Sequence, residues 1–401
     1  MDKQRIQTIE QQCNQSDDYL KSKNRTFKRF FHQRCSQLLQ EIIAENFYSD
    51  ERVCLYFEQI FSHIITTNPE LQHHNLRLFV SREDVPNAYC MGEGTIVFNL
   101  QLLEHLSNES QIAFVLAHEI AHQTLNHVDN SVSNRIERYY SKSTQKQLKK
   151  ANRSTYDSNA KLLEAHKDLL YNNRRHDRAK EIEADATGFH YLMNTKYATL
   201  AATNCLARLD SIEKGKIAYP PVPLAECLGT PDYPFKASWL ERGNSIFSNS
   251  VSPVSVFESD SIRTHPDCEE RIQRIQQAYT LSTEGAEFLQ SKHTFQSIQQ
   301  QLFFEQARNQ YVLENFGRGL YYFLRLSQKY PDNAYVHAQV GAGLVRIYHA
   351  VKAHDFNEVV AVVHPNHEAD YQDLLHVLHN IRSSEIKQLA YHYLTTHYSK
   401  F

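Results

Sequence analysis

The chain has 401 residues, more than twice the roughly 150 of a typical domain, so two or three packed units are expected and a small stapled scaffold is excluded. Its 11 glycines and 11 prolines are about half the usual ~12 % share, which argues against turn-rich all-β folds and points to helix. Forty-three Lys and Arg against 46 Asp and Glu leave a net charge of −3, so no global field draws the chain to nucleic acid.

Seven scattered cysteines without a CxxC pair are expected to be reduced thiols. The N-terminus has no apolar signal core, and the longest apolar runs, such as Ile112 to Ala117, fall far short of the ~18 residues of a membrane span. A soluble protein without transmembrane segments is therefore expected, cytoplasmic as written and periplasmic or secreted if a signal peptide was removed.

Residues 1 to 68 repeat apolar side chains near a 3.6 period and predict helices. Leu76–Val80 and Gly94–Phe98 are short β-rich runs and predict paired strands. A helix over about 109–127 follows, with Asn108 as N-cap, Gln111 at the capping-box position, and Leu106 and Ile112 as a hydrophobic staple. Residues 129–180 carry 13 Lys and Arg against six Asp and Glu and read as a solvated helical insertion. Helices over about 176–194 and 197–213 come next, then a Pro-, Ser- and Asn-rich stretch at 216–260 that reads as a lid loop. From about 266 onward the chain is again helical, and Leu313–Tyr348 looks like one tetratricopeptide-like hairpin.

Chemistry concentrates in His118-Glu119-Ile120-Ala121-His122. Histidines four apart on a helix share a face, so two imidazoles can converge on one zinc ion, with the glutamate beside the position where water binds. Such a glutamate takes a proton from water as it attacks a polarised carbonyl. The longer metzincin pattern needs glycine and histidine at 125 and 128, where this chain has Leu125 and Val128. A glutamate from a later helix is the alternative, and Glu181-Ile182-Glu183-Ala184-Asp185 opens one that carries small residues. If Glu181 binds zinc, Asp185 lies one turn on and can orient a ligand histidine. Glu183 is expected to face elsewhere, and His127 to be turned off the zinc face into solvent.

These two motifs, with Asn87-Ala-Tyr-Cys-Met-Gly-Glu-Gly-Thr-Ile-Val-Phe-Asn99 ahead of the first, resemble the gluzincin metallopeptidases of the CAAX prenyl protease and HtpX type, soluble BepA-like members most of all. The resemblance covers about residues 70–280. It implies one zinc ion per chain held by His118, His122 and Glu181, with Glu119 as general base. The family's His-Pro motif, with an arginine six positions after the histidine, matches His265-Pro266 and Arg271. By that match His265 stabilises the oxyanion or caps the metal and Arg271 braces the site. The resemblance also implies an exposed edge strand, Gly94 to Phe98, that takes extended peptide by β-augmentation, with Asn87, Gly94, Thr95 and Ile96 as substrate-binding residues.

The expected fold is mainly α with a small β-sheet, a zincin-like core between helical ends. Residues 1–68 form an N-terminal helical region, 69–280 the metallopeptidase domain with its insertion and lid, and 281–401 a tetratricopeptide-like accessory domain that holds a protein partner. The expected activity is zinc-dependent endopeptidase cleavage of extended or unfolded protein, in a protein quality-control role. The competing class is a non-catalytic or latent docking or chaperone-like protein with a structural zinc site.

Overall fold

The computed structural model describes residues 25–43, 46–83, 85–142, 178–213, 221–241, 268–365 and 367–397. It is mainly helical with one three-stranded sheet, and among the described residues no helix is long and apolar enough to cross a membrane. Two compact units are present, Met1–Glu213 with Arg263–Gln296, and Lys214–Ile262 with Ser297–Phe401.

In the first unit, strands β1 (Arg77–Ser81), β2 (Ala88–Gly92) and β3 (Thr95–Asn99) lie in the order β1-β3-β2. β1 runs parallel to β3 and β2 antiparallel to it. Side chains alternate between two covered faces, as the period of two requires. Phe79 and Val97 pack with Phe27 and Phe31 of helix α1 (Arg25–Ile43), while Phe98 on the opposite face meets Phe57 of α2 (Glu51–Thr67), ring centroids 4.8 Å apart. The N-terminal helices thus pack into the core of this first unit.

The topology corrects the expected substrate strand. β3 is interior, paired on both flanks (Arg77↔Thr95 and Cys90↔Ile96, for example), and every one of its residues is buried. Its backbone groups are used by β1 and β2, so Gly94, Thr95 and Ile96 cannot receive an added strand. Thr95 Oγ1 instead accepts from Arg77 Nε at 2.6 Å, and the Asn87 carbonyl accepts from the Asn99 amide at 2.9 Å. Gly94 has a φ of +81°, and a Cβ there would lie 2.0 Å from the Asn75 carbonyl oxygen, so its role is to let the chain turn. The outer strands are β1 and β2, and β2 packs against helix α3 (Glu109–Thr124).

The start of α3 is set as its sequence predicts. Asn108 Oδ1 accepts from the Gln111 amide at 3.1 Å, and Gln111 Oε1 accepts in return from the Ser107 amide at 2.7 Å. Leu106 and Ile112 are both buried. Almost every residue of α3 through Ala121 is buried, the environment of a helix running through the centre of a unit. Glu109 anchors this end: its carboxylate accepts from the amides of Leu289, Gln290 and Ser291 at 2.7–2.8 Å and from the hydroxyls of Tyr56 and Tyr197 at 2.9 and 3.3 Å. Leu125 and Asn126 then break the helix, Asn126 with a φ of +54°, and helix α4 (His127–Tyr140) begins at once. Helix α5 covers 178–193 and is followed by α6 (Ala201–Glu213) and α7 (Cys268–Ala278).

The second unit packs helices Phe316–Lys329, Ala334–Ala353, Ala369–Asn380 and Ser383–His397 around Leu324, Val340, Leu344, Tyr371 and Tyr393. Val222, Leu224, Leu228 and Trp239 belong to this same core. That placement corrects the lid reading for residues 221–241: Val222, Leu224, Leu228 and Trp239 are buried in the helical unit. The remainder of 216–260 and most of the 129–180 insertion lie outside the described residues, as does His265. Cys54, Cys90, Cys205, Cys227 and Cys268 are free thiols, whereas Cys35 is disulfide-bonded, so the expectation of a wholly reduced set fails at that residue.

Candidate metal centre

Two helices in close contact make the site. α3 supplies His118 and His122 from one face, as the four-residue spacing requires, and α5 supplies Glu181. The approach is allowed by Gly188, two turns beyond Glu181 on the same face of α5: a Cβ there would meet Cα and N of His118 at 2.8 Å. Only a residue without a side chain lets α5 lie directly on the ligand-bearing backbone.

His118 Nε2 and His122 Nε2 are 3.0 Å apart, and Glu181 places Oε2 3.4 Å from the first and Oε1 3.3 Å from the second. Ligand atoms about 2.1 Å from a tetrahedral zinc ion are about 3.4 Å from one another, so this nitrogen–nitrogen–oxygen triangle fits zinc. The donor set is right too: two neutral imidazoles and one carboxylate leave a fourth position for water or substrate. His118 and Glu181 are each 5 % exposed.

Behind His118 stand Asp185 and Arg271. Its Nδ1 lies 3.0 Å from Asp185 Oδ1, which leaves Nε2 to face the ligand triangle. Arg271 of α7 grips Asp185 with two bonds, Nε to Oδ2 at 2.6 Å and Nη2 to Oδ1 at 2.7 Å, and places Nη1 3.3 Å from Glu181 Oε2. Burial alone would raise the Asp185 pKa, but the guanidinium beside it and the His118 bond hold it below the ordinary carboxylate value. Burial would likewise lower the pKa of His118, yet Asp185 and Glu181 overrule it and lift the value to about 10. Two carboxylates around one imidazole thus create a site that holds a positive charge tightly.

Glu119, next to His118 on α3, is 3 % exposed. Among the described residues its carboxylate takes part in none of the ion pairs or hydrogen bonds that tie up Glu181 and Asp185, so it is available to a water molecule. Arg271, which the resemblance expects to brace the site, lies against Asp185 and Glu181.

Two residues depart from expectation. His127 is 4 % exposed and turned inward, with Nδ1 3.1 Å from His122 Nδ1. Its Nε2 lies 3.2 Å from Glu183 Oε2, so Glu183 also belongs to the surroundings of the site. On an unbroken helix the five-residue step from His122 would point His127 away, but the helix ends at Thr124 and the left-handed Asn126 turns the chain back. An asparagine in front of the histidine was the local signal for that break.

A histidine pair four apart and a glutamate from a second helix, with a carboxylate in the intervening position, define a metallopeptidase of the gluzincin type. A model of peptidase family M48 matches residues 55–279, more than half of the chain, and the chain belongs to that family, whose members are zinc-dependent. Comparison with curated proteins finds no match.

Proposed function

We propose that this chain is a zinc-dependent endopeptidase that cleaves extended or unfolded polypeptide. The observation that carries the proposal is the convergence of His118, His122 and Glu181 within 3.0–3.4 Å, with Glu119 alongside. Zinc bound by those three residues supplies a Lewis acid that polarises the scissile carbonyl and acidifies water. Glu119 accepts the proton lost by the water as its oxygen bonds to the carbonyl carbon, then delivers that proton to the departing amine as the C–N bond breaks. Asp185 keeps the His118 proton on Nδ1, and Arg271 neutralises the carboxylates behind the ligands. The resemblance adds His265 as the group that stabilises the oxyanion.

Burial of the ligand residues supports the substrate class. A folded protein cannot bring a backbone carbonyl to groups 5 % exposed, whereas an extended segment can be threaded in. Such selectivity suits protein quality control. The test is digestion of casein, an unfolded protein, by wild type and Glu119→Gln with and without a chelator. The variant is expected to bind one zinc per chain while cleavage falls by about 10²–10⁴-fold. Activity that persists in Glu119→Gln, or with chelator present, overturns the mechanism.

A further inference from the structure

The two ligand histidines are supported differently. His118 reaches a carboxylate directly, its Nδ1 3.0 Å from Asp185. His122 has another imidazole behind it, His127 at 3.1 Å, and a carboxylate follows, Glu183 at 3.2 Å from the far nitrogen. His127 is itself held by its backbone, whose carbonyl accepts from Lys180 Nζ at 3.1 Å, and the same ammonium bonds Ser131 Oγ.

One proton arrangement satisfies this chain. For His118, His122 and Glu181 to hold one metal ion, His122 Nε2 must present a lone pair to it, and the His122 proton then resides on Nδ1. That N–H points at His127 Nδ1, which must then be the acceptor, placing the His127 proton on Nε2. The Nε2–H in turn donates to Glu183, a carboxylate that can only accept when ionised. Reversing every proton would leave Glu183 facing a bare lone pair and put an N–H where His122 should bind metal. The charge at the far end therefore sets the polarity of the whole chain.

We propose that His127 and Glu183 are positioning residues, an imidazole–carboxylate relay that fixes the ring angle and tautomer of His122 as Asp185 does for His118. The proposal rests on reading the ligand triangle as a zinc site. Mutation of such supporting groups weakens metal binding about 10–100-fold in general, and that range sets the expectation here.

The test is zinc affinity, measured by competition with a chromophoric chelator on the full chain. His127→Phe keeps the ring's bulk but cannot accept from His122, and is expected to bind zinc about 10–100-fold more weakly. His127→Gln can accept through its carbonyl oxygen and donate through its amide, and is expected to stay within about threefold of wild type, since the bonding pattern is kept. Glu183→Ala, at an exposed position, is expected to weaken binding in the same direction without touching the core. Nitrogen-15 NMR of zinc-loaded wild type should find the His122 proton on Nδ1. Wild-type affinity in both His127→Phe and Glu183→Ala overturns the relay while leaving the zinc site intact. Failure of wild type itself to bind zinc overturns the site reading on which the relay depends. If His127→Phe fails to fold, Glu183→Ala and His127→Gln still decide the matter.

Discussion

Gly188→Ala puts the closest helix contact of the site to the test. The added Cβ would lie 2.8 Å from both Cα and N of His118 and 3.0 Å from the Ala117 carbonyl carbon, where ordinary contact begins at 3.4 Å. The obstructing atoms are backbone and have no rotamer to yield, so α5 must retreat by about 0.6 Å to restore ordinary contact. Carried rigidly to Glu181, that shift stretches its 3.4 Å approach to His118 Nε2 to about 4.0 Å, beyond the ~3.4 Å edge of a tetrahedral zinc site. Stability is the poorer readout. Overpacking costs about 1–3 kcal/mol, but replacing helical glycine by alanine returns up to about 1 kcal/mol, and the two partly cancel. Zinc affinity has no such compensation and is expected to fall by at least about 10-fold, as for other changes that displace ligand support. Chelator competition measures it, with His190→Ala, exposed on the same helix, as the control. Affinity within twofold of wild type for Gly188→Ala would refute the claim that helix contact sets the ligand geometry.

Glu109→Gln replaces a carboxylate that serves five donors with an amide whose NH₂ must face some of them. With about 1–3 kcal/mol lost for each buried donor left unpaired, urea denaturation should show a loss of about 3 kcal/mol or more, and a loss under about 1 kcal/mol contradicts the anchoring role. Asp129 is buried near the start of α4, and burial pushes its pKa from 3.8 up to about 6. Between those values the folded state binds more protons than the unfolded state, so this residue's contribution to stability falls as pH rises from about 4 to about 6 and stays low above that. At about 1.4 kcal/mol per tenfold change in proton affinity, Asp129→Asn is expected to stabilise the protein by up to about 3 kcal/mol at pH 7.5 and by little at pH 4. Equal stability of the two proteins at both pH values, measured by denaturant titration, removes the buried charge from the account.

Most of the candidate ligand set was legible in the chain because it depends on local periodicity. A capped α3 with histidines four apart, and Glu181 one turn before Asp185, follow from the 3.6-residue repeat whatever surrounds the helices. Sheet order is different in kind. Gly94–Phe98 reads equally as an edge or an interior strand until its neighbours are known, and β1 and β2 claim both of its flanks. Its unbroken apolar run, Ile96-Val97-Phe98, was the available hint, since a strand buried on both faces loses the polar alternation of an exposed one. Proline and serine content likewise said nothing about which core would take Val222 and Trp239, a choice made by apolar burial among residues distant in sequence. His127 shows the boundary most sharply. Its distance from His122 along the chain predicted a side chain facing solvent, and a single left-handed residue at Asn126 brought it against the ligand instead. Spacing specifies direction only while a helix continues; once it breaks, the packing of the next helix decides where a side chain points.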